Sequence, residues 1–228
     1  MRASSSQKLQ SAVPLRIPAQ AEQTVFIVDD DEDVRASLVW LFESAGLAAR
    51  SFASAEVFLA SREWQRPGCL VLDLRIPGMD GAALFERLRG QGQGRTLPVI
   101  FLSAHGDIPT TVRLLQRGAF DFVEKPFAEG EIVAKVKKAL SRNRLLRARE
   151  RERAELRKRL ARLTGREREV LDRVTRGQAN KVIAIELGIA QKTVEIHRSH
   201  VMRKMGARTL VELFSINILL GEAKGNPL

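Results

Sequence analysis

Five short apolar runs between Thr24 and Leu140 constrain the fold of this chain more than any other feature of its sequence. Each run is followed by an amphipathic stretch with helical spacing. This alternation predicts a parallel sheet covered by helices on both faces, an α/β unit with five strands. The predicted strands are Val25–Val28, Ala49–Phe52, Cys69–Leu72, Pro98–Leu102 and Phe120–Val123, and the predicted helices cover residues 32–45, 54–64, 81–89, 109–117 and 129–140.

The C-terminal half has a different pattern, in which no strand is predicted. Four helices are expected near residues 165–176, 180–187, 191–205 and 208–220, with breaks at Gly177, Gly188 and Gly206. Thr164 and Glu167 have the spacing of a capping box at the start of the first of them. The predicted organisation is a flexible tail at 1–22, an α/β domain at 23–140, a long helical linker at 141–163 and a smaller all-α domain at 164–228.

The predicted linker is strongly basic and has no Gly or Pro. It contains ten Lys or Arg and three Glu, which favours an exposed helix that continues from the α/β domain. Its apolar residues, among them Leu156, Leu160 and Leu163, are only partly regular in spacing. A short coiled coil between two chains and a solvated charged helix both fit this pattern. The linker either contacts DNA or holds the domains apart.

The distribution of charge points to a polyanionic partner for the C-terminal half. The formal net charge is +11, of which residues 141–163 contribute +7 and residues 164–228 contribute +4, while residues 24–140 contribute −2. Nucleic acid is a commoner partner for such a region than an anionic membrane, and a solvated basic face is the alternative. No run approaches the ~20 apolar residues of a membrane span, and the N-terminus lacks the apolar block of a signal peptide. We therefore expect a cytoplasmic protein with no membrane partner.

Polar residues follow the predicted strands at the points where the strands end. They are Asp29, Asp30 and Asp31 after the first strand, Asp73 after the third, Ser103 after the fourth, and Glu124, Lys125 and Pro126 after the fifth. Ligands of open parallel sheets bind at this edge. Crowded carboxylates repel one another unless a cation lies among them, and Mg²⁺ suits a site with few carboxylates. The alternative is that these Asp residues cap helices and form turns, which explains any single one of them.

These residues resemble the receiver domains of bacterial response regulators, over residues 23–140. The matching motifs are Val28-Asp-Asp-Asp-Glu-Asp-Val34, Val71-Leu-Asp-Leu-Arg-Ile-Pro-Gly-Met-Asp-Gly81, Leu102-Ser-Ala-His-Gly106 and Gly118-Ala-Phe-Asp-Phe-Val-Glu-Lys-Pro-Phe127. The resemblance implies a flavodoxin-like (βα)5 fold and a phosphoryl group on Asp73. It implies Mg²⁺ ligands from Asp30, Asp73 and the backbone carbonyl of Arg75, with Asp29 acting through water. It also implies that Ser103 and Phe122 transmit the signal, that Lys125 contacts the phosphoryl group, and that the Lys125–Pro126 bond is cis.

The predicted helices at 180–187 and 191–205 have the arrangement of a helix-turn-helix, whose second helix enters the major groove of DNA. At about 100° per residue, Val194, His197, Val201 and Met205 share the inner face of this second helix. We expect His197 to be packed and hydrogen-bonded there. The opposite face carries Lys192, Glu195, Ile196, Ser199 and Arg203.

Residues 163–218 resemble the LuxR/NarL/FixJ-type DNA-binding domain. The matching motifs are Leu163-Thr-Gly-Arg-Glu-Arg-Glu-Val-Leu171, Gly177-Gln-Ala-Asn-Lys-Val-Ile-Ala184, Leu187-Gly-Ile-Ala190, Thr193-Val-Glu-Ile-His197 and Lys204-Met-Gly206. The resemblance implies that Glu195, Ile196 and Ser199 contact bases. It implies phosphate contacts from Lys181, Lys192, Thr193, Arg198 and Arg203.

The two resemblances together favour a response regulator, with a receiver-first order that is similar to the FixJ-like group. We expect a sensor histidine kinase to phosphorylate Asp73, after which two chains pair on double-stranded promoter DNA. RNA polymerase is the further partner that the resemblance implies. One alternative is a phosphatase of the haloacid-dehalogenase type, although Arg75 occupies the position of its second acid. Another is a receiver that pairs without phosphorylation.

Overall fold

The computed structural model describes residues 23–103 and 108–221, which fall into two compact units divided between Arg144 and Leu145. Each unit has its own hydrophobic core. The predicted tail at 1–22 and the loop residue His105 lie outside the described residues. No helix within the described ranges has both the length and the apolar composition needed to cross a membrane.

The N-terminal unit is a parallel five-stranded sheet in the order β2-β1-β3-β4-β5, which confirms the predicted flavodoxin-like fold. The strands are β1 (Thr24–Val28), β2 (Ala48–Phe52), β3 (Gly68–Asp73), β4 (Val99–Ser103) and β5 (Asp121–Glu124). The helices are α1 (Glu32–Ser44), α2 (Ala55–Ser61), α3 (Gly81–Gly90), α4 (Ile108–Gln116) and α5 (Glu129–Ala161), and short 3-10 helices cover Glu63–Gln65 and Gly92–Thr96.

Helices cover both faces of this sheet, so its central strands are apolar along their whole length. In β1, Val25 and Ile27 pack with α1 and α5, whereas Phe26 and Val28 pack on the opposite face with α2, α3 and α4. Cys69 in β3 is fully buried, and this burial raises the pKa of its thiol.

The helix predicted at 54–64 ends earlier than its sequence pattern indicates. Ser54 is the N-cap of α2 and accepts a hydrogen bond from the Val57 amide. Arg62 then adopts the left-handed conformation, with φ of 56°, and ends the helix. A separate turn follows, in which the Trp64 indole donates to the Leu59 carbonyl.

Helix α5 runs through most of the predicted linker, from Glu129 to Ala161. The prediction that this linker is exposed is wrong for its last residues, because Leu156, Leu160 and Leu163 are buried in the C-terminal core. These leucines therefore pack within their own chain and are not available for a coiled coil.

The C-terminal unit is all-α, as predicted. Besides the end of α5, it contains α6 (Gly165–Val174), α7 (Asn180–Leu187), α8 (Gln191–Met205) and α9 (Leu210–Leu220). Thr164 and Glu167 form the predicted capping box. Gly177, Gly188 and Gly206 follow three of the helices with φ between 63° and 79°, a conformation that favours glycine.

Asn143 lies at the edge of the sheet where strands β3 and β4 begin. Its side chain is fully buried, accepts a hydrogen bond from the Gly68 amide at 3.0 Å and donates to the Thr96 carbonyl at 2.6 Å. The beginning of β3 and the segment before β4 are thereby held to α5, three residues beyond the predicted end of the domain.

Replacing Asn143 by Leu is expected to lower the free energy of unfolding of the N-terminal unit by about 2 kcal/mol, because the Gly68 amide loses its partner in a buried place. Trp40 and Trp64 are the two tryptophans of the chain and both lie in this unit, so urea unfolding followed by their fluorescence measures its stability. The exposed neighbour Arg142, replaced by Ala, is the control. Equal losses in both variants would contradict this role of Asn143.

Candidate functional site

Three carboxylates meet at the carboxyl edge of the sheet, where the strand order reverses between β1 and β3. Asp29 directly follows β1, and Asp73 is the last residue of β3. Carboxylate oxygens of Asp29, Asp30 and Asp73 lie within 4.8 Å of one another. The sequence predicted that these residues lie together because each one comes within two positions of the end of an apolar run.

Lys125, which directly follows β5, joins this cluster. Its Nζ atom lies 2.6 Å from Oδ2 of Asp73 and 2.9 Å from Oδ2 of Asp29. The Lys125 amide donates to the carbonyl of Ser103 at 2.8 Å, which holds the end of β5 against the end of β4. The Lys125–Pro126 bond is cis, as predicted.

The ionisation of the cluster is set by burial and by Lys125. Burial raises the pKa of Asp29, which is 1% exposed, and Lys125 opposes this effect. Burial also acts to lower the pKa of Lys125, but its hydrogen bonds with Asp73 and Asp29 outweigh this and raise it above the ordinary value. The ammonium group therefore keeps its proton. Three carboxylates and one ammonium make an edge that attracts a further cation.

The loop after β1 is held by a residue that the sequence did not identify. Arg35 in α1 donates to the backbone carbonyls of Asp29 and Asp30 at 2.9 and 2.8 Å. Asp31, by contrast, is the N-cap of α1 and accepts hydrogen bonds from two first-turn amides. The alternative interpretation therefore holds in part: Asp31 caps a helix, and Asp29 forms a turn in which its Oδ1 accepts from the Asp31 amide at 3.0 Å.

The loop after β3 is fixed on both sides. Oδ1 of Asp73 accepts a hydrogen bond from the Arg75 amide at 2.9 Å. Gly81 begins α3 directly against the backbone carbonyl of Asp73, where a Cβ atom has no room. Glu56 in α2 accepts from the Met79 amide at 2.9 Å, a contact for which the sequence gives no signal.

The two residues expected to transmit a signal lie beside the cluster. Ser103 is buried at the end of β4, opposite Glu124 of β5, and its carbonyl accepts from the Lys125 amide. Phe122 lies in β5 opposite Phe101 of β4 and is half-buried against the core.

The second candidate site is the helix-turn-helix formed by α7 and α8. Gly188 ends α7 in the left-handed conformation, and α8 begins three residues later. Val194, Val201 and Met205 are buried on the inner face of α8, as predicted. The predicted outward residues Lys192, Ile196, Ser199 and Arg203 are exposed, Glu195 is partly exposed, and Lys181 is exposed on α7.

The contacts of α8 differ from the sequence prediction at three places. Arg198 is half-buried and donates to Oδ1 of Asn180 in α7 at 2.6 Å, so it lies off the outward face. Lys192 forms a 3.0 Å ion pair with Glu195. His197 is turned inward as predicted, but the expected hydrogen bond is absent at Nδ1, which is buried without a partner in the described part of the chain.

The C-terminal end of α8 is anchored by charged groups. Oε2 of Glu167 accepts hydrogen bonds from the Thr164 amide at 2.8 Å and from Nζ of Lys204 at 2.6 Å. The bond from Lys204, together with those from Thr164, lowers the pKa of Glu167 to about 2 despite its burial. Arg159 donates to the carbonyl of Met205 at 3.2 Å. The capping box was predicted from sequence, whereas Lys204 was not.

The first turns of α7 and α8 are open. Their N-cap residues are Ala179 and Ala190, and neither supplies a side-chain hydrogen bond. Among the helices whose N-caps are described, α1, α2, α3, α6 and α9 all have such a bond. Amide groups at an open helix N-terminus favour anions such as phosphate.

Two family models match the chain. "Response regulator receiver domain" matches residues 25–137, and "Bacterial regulatory proteins, luxR family" matches residues 161–216. Together these matches include the acidic cluster, Lys125 and the helix-turn-helix.

Similar proteins match over most of their length. The transcriptional regulatory protein FixJ of Azorhizobium caulinodans is 43% identical over 199 residues, which cover 87% of this chain and 93% of the relative. The C4-dicarboxylate transport transcriptional regulatory protein DctR of Rhodobacter capsulatus is 46% identical, covering 83% and 96%. Among solved structures, the response regulator StyR has a TM-score of 0.75 at 42% identity, covering 86% of this chain and 98% of that one. Full-length FixJ from B. japonicum has a TM-score of 0.53 at 34% identity, covering 89% and 99%.

Replacing Glu167 by Gln is expected to lower the free energy of unfolding of the C-terminal unit by about 2 kcal/mol at pH 7, because charge-assisted hydrogen bonds become neutral ones. The folded-state pKa of Glu167 lies near 2, below its ordinary 4.5. Its contribution is therefore complete above pH 4.5 and disappears as the pH falls towards 2. Urea unfolding followed by the methyl resonances of Val194 and Val201 measures this difference.

The control for this prediction is Glu169→Gln, also in α6. Glu169 is exposed and pairs with Arg166 at the surface, so its replacement is expected to change stability by less than about 0.5 kcal/mol. A loss for Glu167→Gln that is as large at pH 2 as at pH 7 would contradict the ionic origin of the effect.

Proposed function

The chain belongs to the bacterial response regulators that join a receiver domain to a LuxR-type DNA-binding domain, and we propose that a phosphoryl group on Asp73 controls DNA binding by α8. Its partners are accordingly a histidine kinase and DNA, and its relatives are transcriptional regulators, which excludes the phosphatase alternative. The observation that supports Asp73 most directly is its position between two other carboxylates and the Lys125 ammonium.

The proposed chemistry is transfer of a phosphoryl group from a histidine of the kinase to a carboxylate oxygen of Asp73. The new O–P bond forms as the P–N bond breaks, and the histidine leaves with the electron pair of that bond. The ammonium of Lys125, 2.6 Å from Oδ2 of Asp73, lies close enough to stabilise negative charge on the transferred oxygens. The receiver then does no further chemistry than losing this group again.

The donor set of the acidic cluster fits Mg²⁺. Asp29, Asp30 and Asp73 offer hard oxygen ligands within 4.8 Å of one another, and we propose the backbone carbonyl of Arg75 as a further ligand. When bound, Mg²⁺ reduces the repulsion between the Asp73 carboxylate and the incoming phosphoryl oxygens. The chain itself keeps these ligands in place through Arg35 and the Arg75 amide.

We propose that Ser103 and Phe122 transmit the modification, as in the receivers that the chain resembles. A phosphoryl group on Asp73 adds acceptor oxygens, and the Ser103 hydroxyl moves to donate to one of them. The space that Ser103 leaves admits the ring of Phe122, which is half-buried in the next strand. The surface around β5 changes as a result.

We propose that two chains pair on DNA after phosphorylation and that RNA polymerase is the next partner at the promoter. One observation favours pairing of the C-terminal units. Val211 and Ile218 are 74% and 67% exposed on the same side of α9, and half-buried Phe214 lies between them. Glu212 is the sole charged residue of this helix. A second copy of the same stripe can cover these apolar side chains in a two-fold arrangement. Such a pair works in the cytoplasm, where bacterial DNA lies.

The outward face of α8 is the proposed DNA-reading surface. Glu195 can accept from a cytosine amine, Ile196 can pack on a thymine methyl, and Ser199 can bond to either base edge. We propose that Lys181, Lys192, Thr193, Arg198 and Arg203 contact phosphates, helped by the open first turns of α7 and α8. Because Arg198 also bonds to Asn180, its phosphate contact would fix α7 and α8 together.

Replacing Asp73 by Asn is expected to abolish the response to acetyl phosphate and Mg²⁺. In the wild-type chain this treatment should increase the molar mass measured by sedimentation equilibrium and tighten binding to duplexes selected from a random pool. Removing Mg²⁺ with a chelator should prevent both changes. Asp80→Asn is the control, because Asp80 is an exposed N-cap of α3 in the same loop and Asn also caps helices. Equal responses of wild type and Asp73→Asn would contradict the proposed phosphoacceptor.

Base contacts and phosphate contacts are expected to respond differently to substitution. Glu195→Ala should reduce discrimination at particular base pairs by about 1–3 kcal/mol. Lys181→Ala should weaken binding to all sequences and lower the slope of log K against log salt by about 0.9. Lys192→Ala should combine a phosphate loss with an effect on Glu195, because the two side chains form an ion pair. Binding to single-base variants of a selected duplex at several salt concentrations separates these effects, and a uniform loss for Glu195→Ala would contradict base reading.

A further inference from the structure

The switch residue Phe122 lies on the free edge of the sheet. Strand β5 pairs only with β4, since it is the last strand in the order. The Phe122 amide donates to Oδ1 of Asp121 at 2.8 Å, and its carbonyl accepts from Nζ of Lys135 at 2.7 Å. Side chains therefore form the hydrogen bonds of both backbone groups of Phe122, which at a free sheet edge could otherwise pair with a further strand.

Lys135 contacts Phe122 in a second way. Its Nζ atom lies 5.6 Å from the centre of the Phe122 ring, within the range of a cation–π interaction. The same ammonium donates to Oδ1 of Asp121 at 3.0 Å and lies 3.5 Å from Oε1 of Glu131. The Lys135 side chain is only 22% exposed, so solvent screens these contacts less than those of a surface lysine.

The ion pair between Lys135 and Asp121 thus restrains the amide, the carbonyl and the ring of Phe122. Asp121 holds its amide, and Lys135 holds its carbonyl and its ring. The carboxylate of Asp121 accepts from both the amide and the ammonium, which fixes the two restraints relative to each other. Charge-assisted hydrogen bonds are roughly twice as strong as neutral ones, so this arrangement favours the position of Phe122 in the structure.

We propose that Lys135 and Asp121 form a latch that holds Phe122 in its resting position and so keeps the unphosphorylated chain from pairing. This inference rests on the proposed function, because it assumes that movement of Phe122 follows phosphorylation of Asp73. Lys135 is a positioning residue. Its contacts are with Asp121, Phe122 and Glu131, and it acts through Phe122.

The latch lies at a surface that a second chain can reach. Lys135, Phe122 and Glu131 line an open groove of about 630 Å³ beside Lys125 and Pro126. When the Phe122 ring moves towards the space left by Ser103, the Lys135 ammonium loses its cation–π interaction with that ring. The charge and the shape of the groove then change together. Breaking the latch is therefore expected to raise the population of the active form without phosphorylation.

Lys135→Met is the direct test, because Met keeps the length of the side chain and removes its charge. In the full-length chain without a phosphoryl donor, this variant is expected to raise the pairing constant measured by sedimentation equilibrium by about threefold to tenfold, the range in which one residue of a coupled network shifts an equilibrium. With acetyl phosphate and Mg²⁺ the constant should equal that of the wild type. The matched control is Lys138→Met, an exposed lysine one turn further along α5.

A purely structural role of Lys135 gives a different result, because damage to the fold lowers pairing both with and without acetyl phosphate. Lys135→Arg should behave as the wild type, since Arg also donates to carbonyls and stacks on aromatic rings. Asp121→Asn removes the other half of the latch and should raise resting pairing in the same direction. In Lys135→Met, the Phe122 amide should exchange its hydrogen faster than in Lys138→Met.

The failure of the latch and the failure of the phosphoryl switch are separable in this experiment. If the wild type does not respond to acetyl phosphate, the proposed phosphoryl switch is contradicted, and so is the proposed coupling of the latch to it. If wild type responds but Lys135→Met matches Lys138→Met in resting pairing, the latch alone is wrong. Increased resting pairing of Lys135→Met in an Asp73→Asn background would support the latch, because no phosphoryl group can form there.

Discussion

The N-terminal unit depends on how it manages repulsion between carboxylates at the edge shared by β1 and β3. Asp29 and Asp73 lie there because their strands are neighbours, and Lys125 balances part of their charge from the end of β5, two strands beyond β3. The same lysine follows β5 directly, so the ion pairs connect the acidic edge to the free edge of the sheet. A change of charge at Asp73 therefore alters the interactions at the end of β5 through the side chain of Lys125.

Much of the fold follows from local patterns, and the departures have local causes. The strands were predictable because central parallel strands are continuously apolar. The pattern of α2 did not reveal its end, because Arg62 adopts the left-handed conformation without being glycine. Periodicity showed that residues 141–161 are helical but not where they pack. Asn143 is buried by backbone groups distant in sequence, and Leu156 and Leu160 by a core to which α6, α7, α8 and α9 all contribute.

The candidate sites were predictable to the extent that their residues occupy marked positions in the sequence. Asp29, Asp73 and Lys125 follow apolar runs, and the outward face of α8 follows from the angle between successive residues. Arg35, Lys135 and Lys204 were missed. Each is a half-buried basic residue of a helix, and its main partners lie in other segments of the chain. Arg198 was recognised as a candidate phosphate contact, but no pattern in α8 predicts its bond to Asn180.

The burial of Cys69 has a consequence for the kind of signal that the protein can receive. This is the single cysteine of the chain, it lies inside β3, and its thiol resists deprotonation. Peroxides and electrophilic metabolites react with accessible thiolates, and this chain offers them none among its cysteines. The cysteine of this regulator is thereby protected from oxidation. The proposed phosphoryl site is unaffected by such oxidants, because its nucleophiles are carboxylate oxygens.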